Sequence, residues 1–389
     1  MANLFAVCTP GLEPFVAQEL SQLGLKPDHS PSGIEYLPTP NELIDEVGGI
    51  DFRGTLPDIY RANLHLRTAS RVLLQIGIFY ADTFSDLGRR AKRLSWENYL
   101  PPGRSVSLRV TCHKSRLYHS GGVAERVLEA IADRLGQTPP VRESNGDEEG
   151  SPPQLVIVRL RENRCAISID SSGALLHRRG YRLATGRAPL RETLAAGILL
   201  ASGWDVSSPL LDPFCGAGTI AIEAALLGRK IPPGLRRHFA FMDWPNFDAR
   251  MWEGLVAEGQ AIPGIRRLEI IASDRDAGAI QAAKVNAERA GMAEDIEFCC
   301  RPISAIDPPK HPGWVVANPP YGVRLGSNRD LRKLYAQFGK VLRAKCPGWQ
   351  VAILCNSADL LRATGLRFDP GIQTRNGGLK VKLVKGRIK

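Results

Sequence analysis

One short stretch constrains this chain more than any other. Leu210-Leu211-Asp212-Pro213-Phe214-Cys215-Gly216-Ala217-Gly218-Thr219 runs from an apolar segment, through two glycines, into an apolar helical pattern at Thr219–Leu227. A buried strand that feeds a helix through so tight a turn belongs to a parallel sheet, whose neighbouring strands need a crossover between them. The alternation starts with a strand at Pro209–Phe214 and continues with Leu268–Ser273, a helix at Ala277–Ala290, and strands at Ile296–Cys300 and Trp314–Asn318. A helix near Leu331–Leu342 and a strand at Gln350–Asn356 follow. The pattern predicts an α/β fold with a doubly wound, mostly parallel sheet, its ligand at the carboxyl ends of the central strands.

Gly216 and Gly218 let the backbone bend sharply and approach a ligand with no Cβ in the way. Gly216 to Ala221 also matches the dinucleotide fingerprint G-x-G-x-x-G/A, which expects an acidic ribose ligand about 20 residues on. The next strand's acid, Asp274, stands 56 residues beyond Gly218, across an insertion that contains Trp244 and Trp252. That spacing weakens the dinucleotide reading. A second signal, Asn318-Pro319-Pro320-Tyr321, follows the apolar run Trp314–Ala317. Two prolines hold the chain extended and remove two backbone donors, so nearby carbonyl oxygens are left to accept from a ligand. An Asn side-chain carbonyl beside a backbone carbonyl can take both protons of an NH₂ group, and Tyr321 can stack on a planar ring. A Pro-Pro turn with a capping Asn explains the tetrapeptide standing alone. Paired with the glycine loop on an earlier strand of the same sheet, it favours a pocket for a planar amine.

The amino-terminal half has another character. A strand at Leu4–Cys8 and a helix at Leu12–Leu23, stopped by Gly24, suggest a small α+β unit. Strand patterns follow at Ser70–Phe79 and Ser105–Thr111, then a helix at Val123–Leu135. A polar, Pro- and Gly-rich loop at 137–154 leads to strands at Leu155–Leu160 and Cys165–Ile169. Residues 175–191 carry five arginines and no acid. Across all 389 residues, 51 Lys plus Arg against 40 Asp plus Glu leave a net charge of +11, which excludes an acidic tail and favours a polyanionic partner. The eight cysteines form no C-x-x-C and the histidines show no ligand spacing, so no metal is expected. No run reaches the roughly 18 apolar residues of a membrane span. The first basic residue is Lys26, so no secretory signal is expected and the cytoplasm is the expected compartment.

Together, DPFCGAGT and NPPY resemble class I S-adenosylmethionine-dependent methyltransferases that modify exocyclic or amide nitrogens. The opening LFAVCTPGLEPFVAQELSQLG and the segment KSRLYHSGGVAERVLEAI resemble the ferredoxin-like and THUMP modules that bind RNA. The bridge HRRGYRLATGRAPLRETLAAGIL is closely similar to the bacterial large-subunit ribosomal RNA guanine-N2 methyltransferase family. The resemblance covers essentially the whole chain. It implies a ferredoxin-like module at 1–60, a THUMP domain at 61–170, a basic bridge at 171–190 and a Rossmann-like class I methyltransferase domain at 191–389. It further implies methyl transfer from S-adenosyl-L-methionine to the exocyclic N2 of a guanine in 23S ribosomal RNA, or a large-subunit precursor. The products would be N2-methylguanosine and S-adenosylhomocysteine, with no metal, no membrane and no obligate protein partner.

On that resemblance, Asp212, Phe214, Gly216, Gly218 and Thr219 hold the methionine end and ribose of the methyl donor, and Asp274 takes the ribose hydroxyls. Ala188, Pro189, Leu190 and Thr193 cover the donor pocket; Asn318, Pro319, Pro320 and Tyr321 hold the guanine. Lys114, Ser115 and Arg116 fit a phosphate-contacting edge or a solvated strand end. Arg178, Arg179 and Arg182 make a second basic patch facing RNA, and Lys380, Lys382, Lys385, Arg387 and Lys389 a third, or an edge strand with its charges outward. Arg324 fits a flanking phosphate or a surface ion pair, and Glu192 and Glu223 fit groups behind the pocket or capping residues on a helix surface.

Two departures accompany the resemblance. Pro302 stands in Arg301-Pro302-Ile303-Ser304, where the family's adenine-contacting acid is expected. Some relatives carry a second methyltransferase domain, for which a chain ending at Lys389 leaves no room. Four rivals remain open. A transfer-RNA guanine-N2 enzyme would use the same modules. A protein-glutamine or DNA-adenine methyltransferase shares NPPY but leaves the amino-terminal half unexplained. A nicotinamide dehydrogenase rests on the glycine loop alone. A non-catalytic RNA-binding assembly factor conflicts with the intact Gly216, Gly218, Asp274 and NPPY.

Overall fold

The computed structural model describes residues 1–28, 48–143, 152–182, 190–260, 268–321 and 328–389. They divide into two compact units, one of residues 1–9, 16–176 and 234–258, the other of 10–15, 177–233 and 259–389.

The first unit is built on strands β1 (Ala2–Cys8), β2 (Pro27–Asp28), β3 (Gly48–Gly54), β4 (Ala69–Tyr80), β5 (Val106–His113), β6 (Gln154–Arg161) and β7 (Arg164–Asp170), in the order β2-β3-β1-β4-β7-β6-β5. Among these named strands only β5 and β6 pair in parallel. The long β4 makes the sheet continuous, since it pairs antiparallel with β1 on one side and with β7 on the other. The segments read as two separate modules therefore share one sheet. Helices α1 (Glu13–Gln22), α2 (Leu56–His65), α3 (Phe84–Ala91) and α4 (Ser120–Leu135) connect the strands. Thr55 and Asp58 form a capping box that starts α2, with Thr55 N donating to Asp58 Oδ2 at 2.8 Å.

The second unit carries β8 (Leu210–Asp212), β9 (Ile270–Asp274), β10 (Ile296–Cys300), β11 (Trp314–Ala317), β12 (Gln350–Cys355), β13 (Ile372–Asn376) and β14 (Leu379–Arg387). Their order is β10-β9-β8-β11-β12-β14-β13, the first five parallel and β14 antiparallel to both neighbours. The helices are α5 (Glu192–Ser202), α6 (Thr219–Gly228), α7 (Ala249–Gln260), α8 (Ala277–Ala290), α9 (Asn328–Lys345) and α10 (Ala358–Ala363), of which most of α7 belongs to the first unit. This is the doubly wound sheet expected from the alternation. The chain runs outward from β8 to β9 and β10, then returns to the other side of β8 as β11. That reversal opens a crevice at the carboxyl ends of β8 and β11. All three residues of β8 are buried, as a central parallel strand covered on both faces requires. A core of Leu211, Val315, Ile353, Tyr335, Phe338, Leu342 and Trp349 supports these strands. Among the described residues, no helix is long and apolar enough to cross a membrane. The apolar run Leu194–Trp204 forms most of α5 and its end, and it is buried.

Residues 234–258, which the sequence places inside a domain at 191–389, pack in the first unit instead. The cause is aromatic. Tyr60 on α2 is fully buried, stacks on Phe241 with ring centroids 4.5 Å apart, and meets Phe247 and Trp252 edge-on at 5.6 and 6.3 Å. Asp248 N donates to the Tyr60 hydroxyl at 3.0 Å, Trp244 Nε1 donates to Gln154 Oε1 at 2.9 Å, and Gly234 N donates to Leu64 O at 2.9 Å. A Cβ at Gly234 would lie 2.8 Å from Leu64 Cα, so only glycine permits that approach. Large aromatic surfaces gain most from leaving water, and the polar indole N–H and phenol O–H here find partners as they do so. Tyr60→Ala is expected to destabilise the protein by about 3–5 kcal/mol in urea melts. It should also speed tryptic cleavage at Arg236, Arg237 and Arg250; an unchanged cleavage pattern would refute this role of Tyr60.

Candidate active site

The site is assembled from the loops that leave β8, β9 and β11. Asp212 ends β8 almost wholly buried, with Oδ1 accepting from Phe214 N at 3.2 Å. Its Oδ2 is buried and has no hydrogen-bond partner among the described residues. Burial, relieved only in part by the Phe214 N–H and reinforced by the nearby Asp274, pushes the Asp212 pKa up to about 8. The loop is stitched to β9 by Cys215 N donating to Ser273 O at 3.0 Å and Gly216 N donating to Asp274 Oδ2 at 3.1 Å. Asp276 N donates to Asp274 Oδ1 at 3.0 Å, and Asp276 in turn caps α8. Each Asp274 oxygen thus takes one backbone donor and keeps a lone pair for another.

The two glycines serve different purposes. Gly216 has φ 51°, and a Cβ there would meet nothing within 4 Å, so its face is open to a ligand. Gly218 has φ 83°, and a Cβ there would stand 3.0 Å from Ala283 Cβ on α8. The first glycine leaves room; the second is demanded by backbone conformation and helix packing.

β11 runs in register with β8, Trp314 opposite Leu210 and Val315 opposite Leu211. The chain leaving β11 at Asn318 therefore emerges beside the loop leaving β8 at Pro213. Asn318 Oδ1 is buried with no hydrogen-bond partner among the described residues. Pro319 is buried, Pro320 and Tyr321 half-buried. The Tyr321 hydroxyl accepts from Asn376 Nδ2 at 2.7 Å, and its ring packs on the core around Tyr335 and Phe338. Burial raises the Tyr321 pKa, which keeps the phenol protonated at neutral pH. Phe214 meets Phe338 edge-on at 5.2 Å and is half-buried.

Beneath the glycine loop lies an ionic cluster that the sequence assigned to another task. Arg179 and Arg182, expected to face RNA, instead turn into the second unit, the first buried and the second half-buried. Arg182 pairs with Glu192 at 2.8 Å and donates to Leu190 O at 2.8 Å and to Thr219 Oγ1 at 2.9 Å. Arg179 lies 3.5 Å from Glu223, whose Oε1 also accepts from the Tyr181 hydroxyl at 3.1 Å. The reason is visible in α5 and α6: Glu192 and Glu223 sit in helices that are otherwise apolar and buried, so each needs a buried cation. Burial raises the Glu192 carboxyl, and the Arg182 guanidinium pulls it back down. Arg289 clasps the segment by donating to Tyr181 O at 3.1 Å and Gly180 O at 3.3 Å. Thr219, expected to touch the methyl donor, accepts from Arg182 through Oγ1 at the first turn of α6. An acid within an apolar helix was the signal that could have placed these arginines inside.

Leu190 and Thr193 are buried at the start of α5, and Arg178 is half-buried. Ala188, Pro189 and Arg324 lie outside the described residues. In the first unit, Lys114 is exposed with φ 44°, Ser115 Oγ accepts from Asn163 N at 3.1 Å, and Arg116 pairs with Asp82 at 2.9 Å in solvent. Pro302 caps a short 3-10 turn after β10 that holds Ser304. A bound nucleoside with a charged tail fits what is present: an open face at Gly216, a two-oxygen acceptor at Asp274, and two orphaned buried oxygens at Asp212 and Asn318.

A glycine loop at the switch point of this sheet, faced by Asn-Pro-Pro-Tyr from the neighbouring strand, defines a Rossmann-like methyltransferase. A model of the RMKL-like methyltransferase domain (UPF0020) matches residues 179–385, one of the RlmL ferredoxin-like domain matches 3–73, and one of the THUMP domain matches 81–170. The chain belongs to this RMKL-like family of class I RNA methyltransferases. It is 35% identical over 386 residues to the Synechocystis protein named "Putative RNA methyltransferase slr0064", covering 98% of this chain and 95% of that one. It is also 35% identical to the ribosomal RNA large subunit methyltransferase K/L of Shewanella sp. W3-18-1, covering 98% of this chain but 52% of that protein. The chain therefore spans about half the length of its K/L relatives. Among solved structures, SMU.472, described as a putative methyltransferase in complex with S-adenosylhomocysteine, superposes with TM-score 0.85 at 30% identity, covering 100% of this chain and 99% of that one.

The raised Asp212 pKa has a measurable consequence. The folded state holds this proton up to about pH 8, whereas an unfolded Asp releases it near pH 4. Its contribution to stability is therefore full below about pH 4, falls as pH rises, and is flat above about 8. Urea melts of wild type and Asp212→Asn should differ least near pH 4 and progressively more up to pH 9, where the variant is the more stable. A constant difference across that range would contradict the assignment.

Proposed function

We propose that this chain transfers a methyl group from S-adenosyl-L-methionine to the exocyclic N2 of a guanine in 23S ribosomal RNA, within the naked RNA or a precursor particle. The observation that carries this reading is the orphaned Asn318 Oδ1, buried beside two prolines at the end of β11 and next to the glycine loop of β8. A buried amide oxygen without a partner is costly, and an amino group of a planar base is a donor that relieves the cost. The chain's net charge of +11 supports a polyanionic substrate, Lys114, Ser115 and Arg116 at a strand end offer it a contact, and the K/L relatives' name supports a ribosomal RNA.

S-adenosylmethionine, when bound, supplies a methyl already activated on a sulfonium, so neither a metal nor a covalent enzyme intermediate is needed. Asp274 takes the ribose hydroxyls with its two remaining lone pairs, and Gly216 leaves the space in which the nucleoside lies. Asp212, with Phe214 and Gly218 shaping the loop, faces the cationic methionine end. Leu190 and Thr193, buried at the start of α5, cover that pocket. Thr219 and Arg182 act behind it by fixing the start of α6. Asn318 Oδ1 and the carbonyl oxygens beside Pro319 and Pro320 hold the guanine amine, and Tyr321 stacks on a base taken out of its helix. The N2 lone pair attacks the methyl carbon as the carbon–sulfur bond breaks and its electron pair passes to sulfur; the extra proton on nitrogen leaves to water. Asn318 aligns that displacement and strengthens its hydrogen bonds as positive charge grows on nitrogen. No carboxylate base is required.

Nucleoside mass spectrometry of ribosomal and transfer RNA, from cells with and without the gene, tests this reading. N2-methylguanosine should vanish from large-subunit RNA alone and return with wild type but not with Asn318→Ala. Loss from transfer RNA instead would move the substrate, and no loss from either would overturn the proposal. By calorimetry, Asp274→Ala should weaken S-adenosylmethionine binding by about 10- to 100-fold, the loss of charged hydrogen bonds worth about 1.5–3 kcal/mol.

A further inference from the structure

Helix α8 turns one face into the second unit, and the residues buried along it are Ile280, Ala283, Asn286, Ala287 and Ala290. They recur at the three- and four-residue spacing of a helical stripe. Asn286 is the polar member of this stripe and is 4% exposed. Alanine fits at the three positions around it, and asparagine is a poorer helix former than alanine. A stripe that had only to pack would be served by a fourth alanine.

The amide of Asn286 faces the glycine loop, and its Nδ2 donates to Ala217 O at 3.1 Å. Gly218 N, at the other side of the same peptide unit, donates to Cys215 O at 2.8 Å and closes the turn. A peptide unit is planar, so holding its oxygen also aims its N–H. Ala217 is flanked by two glycines, at φ 51° and 83°, and glycine is the residue whose backbone turns most freely. The rest of the loop has ties of its own: Cys215 N to Ser273 O, Gly216 N to Asp274 Oδ2, and Thr219 Oγ1 to Arg182. Ala217 has no hydrogen bond among the described residues other than the one from Asn286.

Helix α8 is itself anchored on both sides of this contact. Asp276 caps it and donates through its own N–H to Asp274 Oδ1 at 3.0 Å. Arg289, about one turn beyond Asn286, donates to Tyr181 O at 3.1 Å and Gly180 O at 3.3 Å. A Cβ at Gly218 would stand 3.0 Å from Ala283 Cβ, so loop and helix are already in close contact one turn before Asn286.

We infer that Asn286 is a positioning residue for the methyl donor. It holds the Ala217–Gly218 peptide, so that the open face of Gly216 and the oxygens of Asp274 meet S-adenosylmethionine already arranged. This role rests on the glycine loop being the seat of the methyl donor, and it holds whichever base receives the methyl. Without the amide the peptide rotates between two glycines, and binding must order it again, which weakens affinity.

Calorimetric titration of S-adenosylhomocysteine into the full-length protein tests this role. Asn286→Ala should bind it about tenfold more weakly, through loss of the hydrogen bond that orders the loop. Asn286→Asp adds a pH profile. Its neutral carboxyl donates to Ala217 O as the amide does, its carboxylate repels that oxygen, and burial raises the pH at which the proton leaves. Affinity relative to wild type should be near parity at about pH 5 and about tenfold lower by about pH 9. Asp212 titrates in both proteins and cancels from that ratio. Unchanged affinity in Asn286→Ala would overturn the inference. So would a deficit in Asn286→Asp that is the same at every pH, because lost packing would then explain it. Should the alanine variant fail to fold, the aspartate profile decides alone. Asp274→Ala separates this result from the reading of the site. If Asp274→Ala binds as wild type does, the methyl donor lies elsewhere and both fall; if it alone weakens binding, the seat stands and Asn286 has no part in it.

Discussion

The parallel pairing of β8 with β11 is the contact on which the second unit depends. These strands are distant in sequence, yet Leu211 stands opposite Val315 in the middle of the sheet. Everything placed at the site follows from that register. It sets the loop after Asp212 beside the loop after Ala317, and it fixes the edge at which the chain reverses direction. A slip of one residue would turn Leu211 and Val315 toward the opposite helix layer and carry Asn318 away from the glycine loop.

A second constraint holds the glycine loop from below. Hydrogen bonds from Cys215 N to Ser273 O and from Gly216 N to Asp274 Oδ2 join it to β9, while Arg182 pins the start of α6 through Thr219. Buried ion pairs add little net stability, because desolvation offsets most of the Coulomb attraction, but each partner becomes indispensable once the other is buried. Arg182–Glu192 and Arg179–Glu223 are better understood as devices of specificity: they leave the segment preceding α5 one arrangement in which all four charges are matched. A loop at the mouth of a site benefits from a foundation of that kind.

Much of this could be read from the residues. The strand–turn–helix alternation gave away the parallel sheet because its signals are local: apolar runs, two glycines and helical periodicity. The places of Asp212, Asp274 and Asn318 at or next to strand ends, and of Gly216 and Gly218 in the turn after β8, were legible for the same reason. What escaped depends on contacts between distant parts of the chain. Nothing in the spacing of Phe239, Phe241, Phe247 and Trp252 says that they will gather around Tyr60, since an aromatic cluster has no period. The bridge arginines looked like a surface patch because charge in a run is usually solvated, and their acidic partners lie on two separate helices. Asn376 offered no sign at all: its partner Tyr321 is 55 residues away and the turn sequence Asn-Gly-Gly accounts for an asparagine by itself.

The account turns on Asn318 presenting a carbonyl acceptor to the amino group of guanine. Purified protein, large-subunit ribosomal RNA transcript and S-adenosylmethionine carrying a trideuterated methyl group test this directly, with digestion to nucleosides and mass analysis. The account predicts the heavy methyl in N2-methylguanosine, and its absence when Asn318 is replaced by alanine. Heavy label in N6-methyladenosine, or in no nucleoside while the protein binds both RNA and methyl donor, would contradict it.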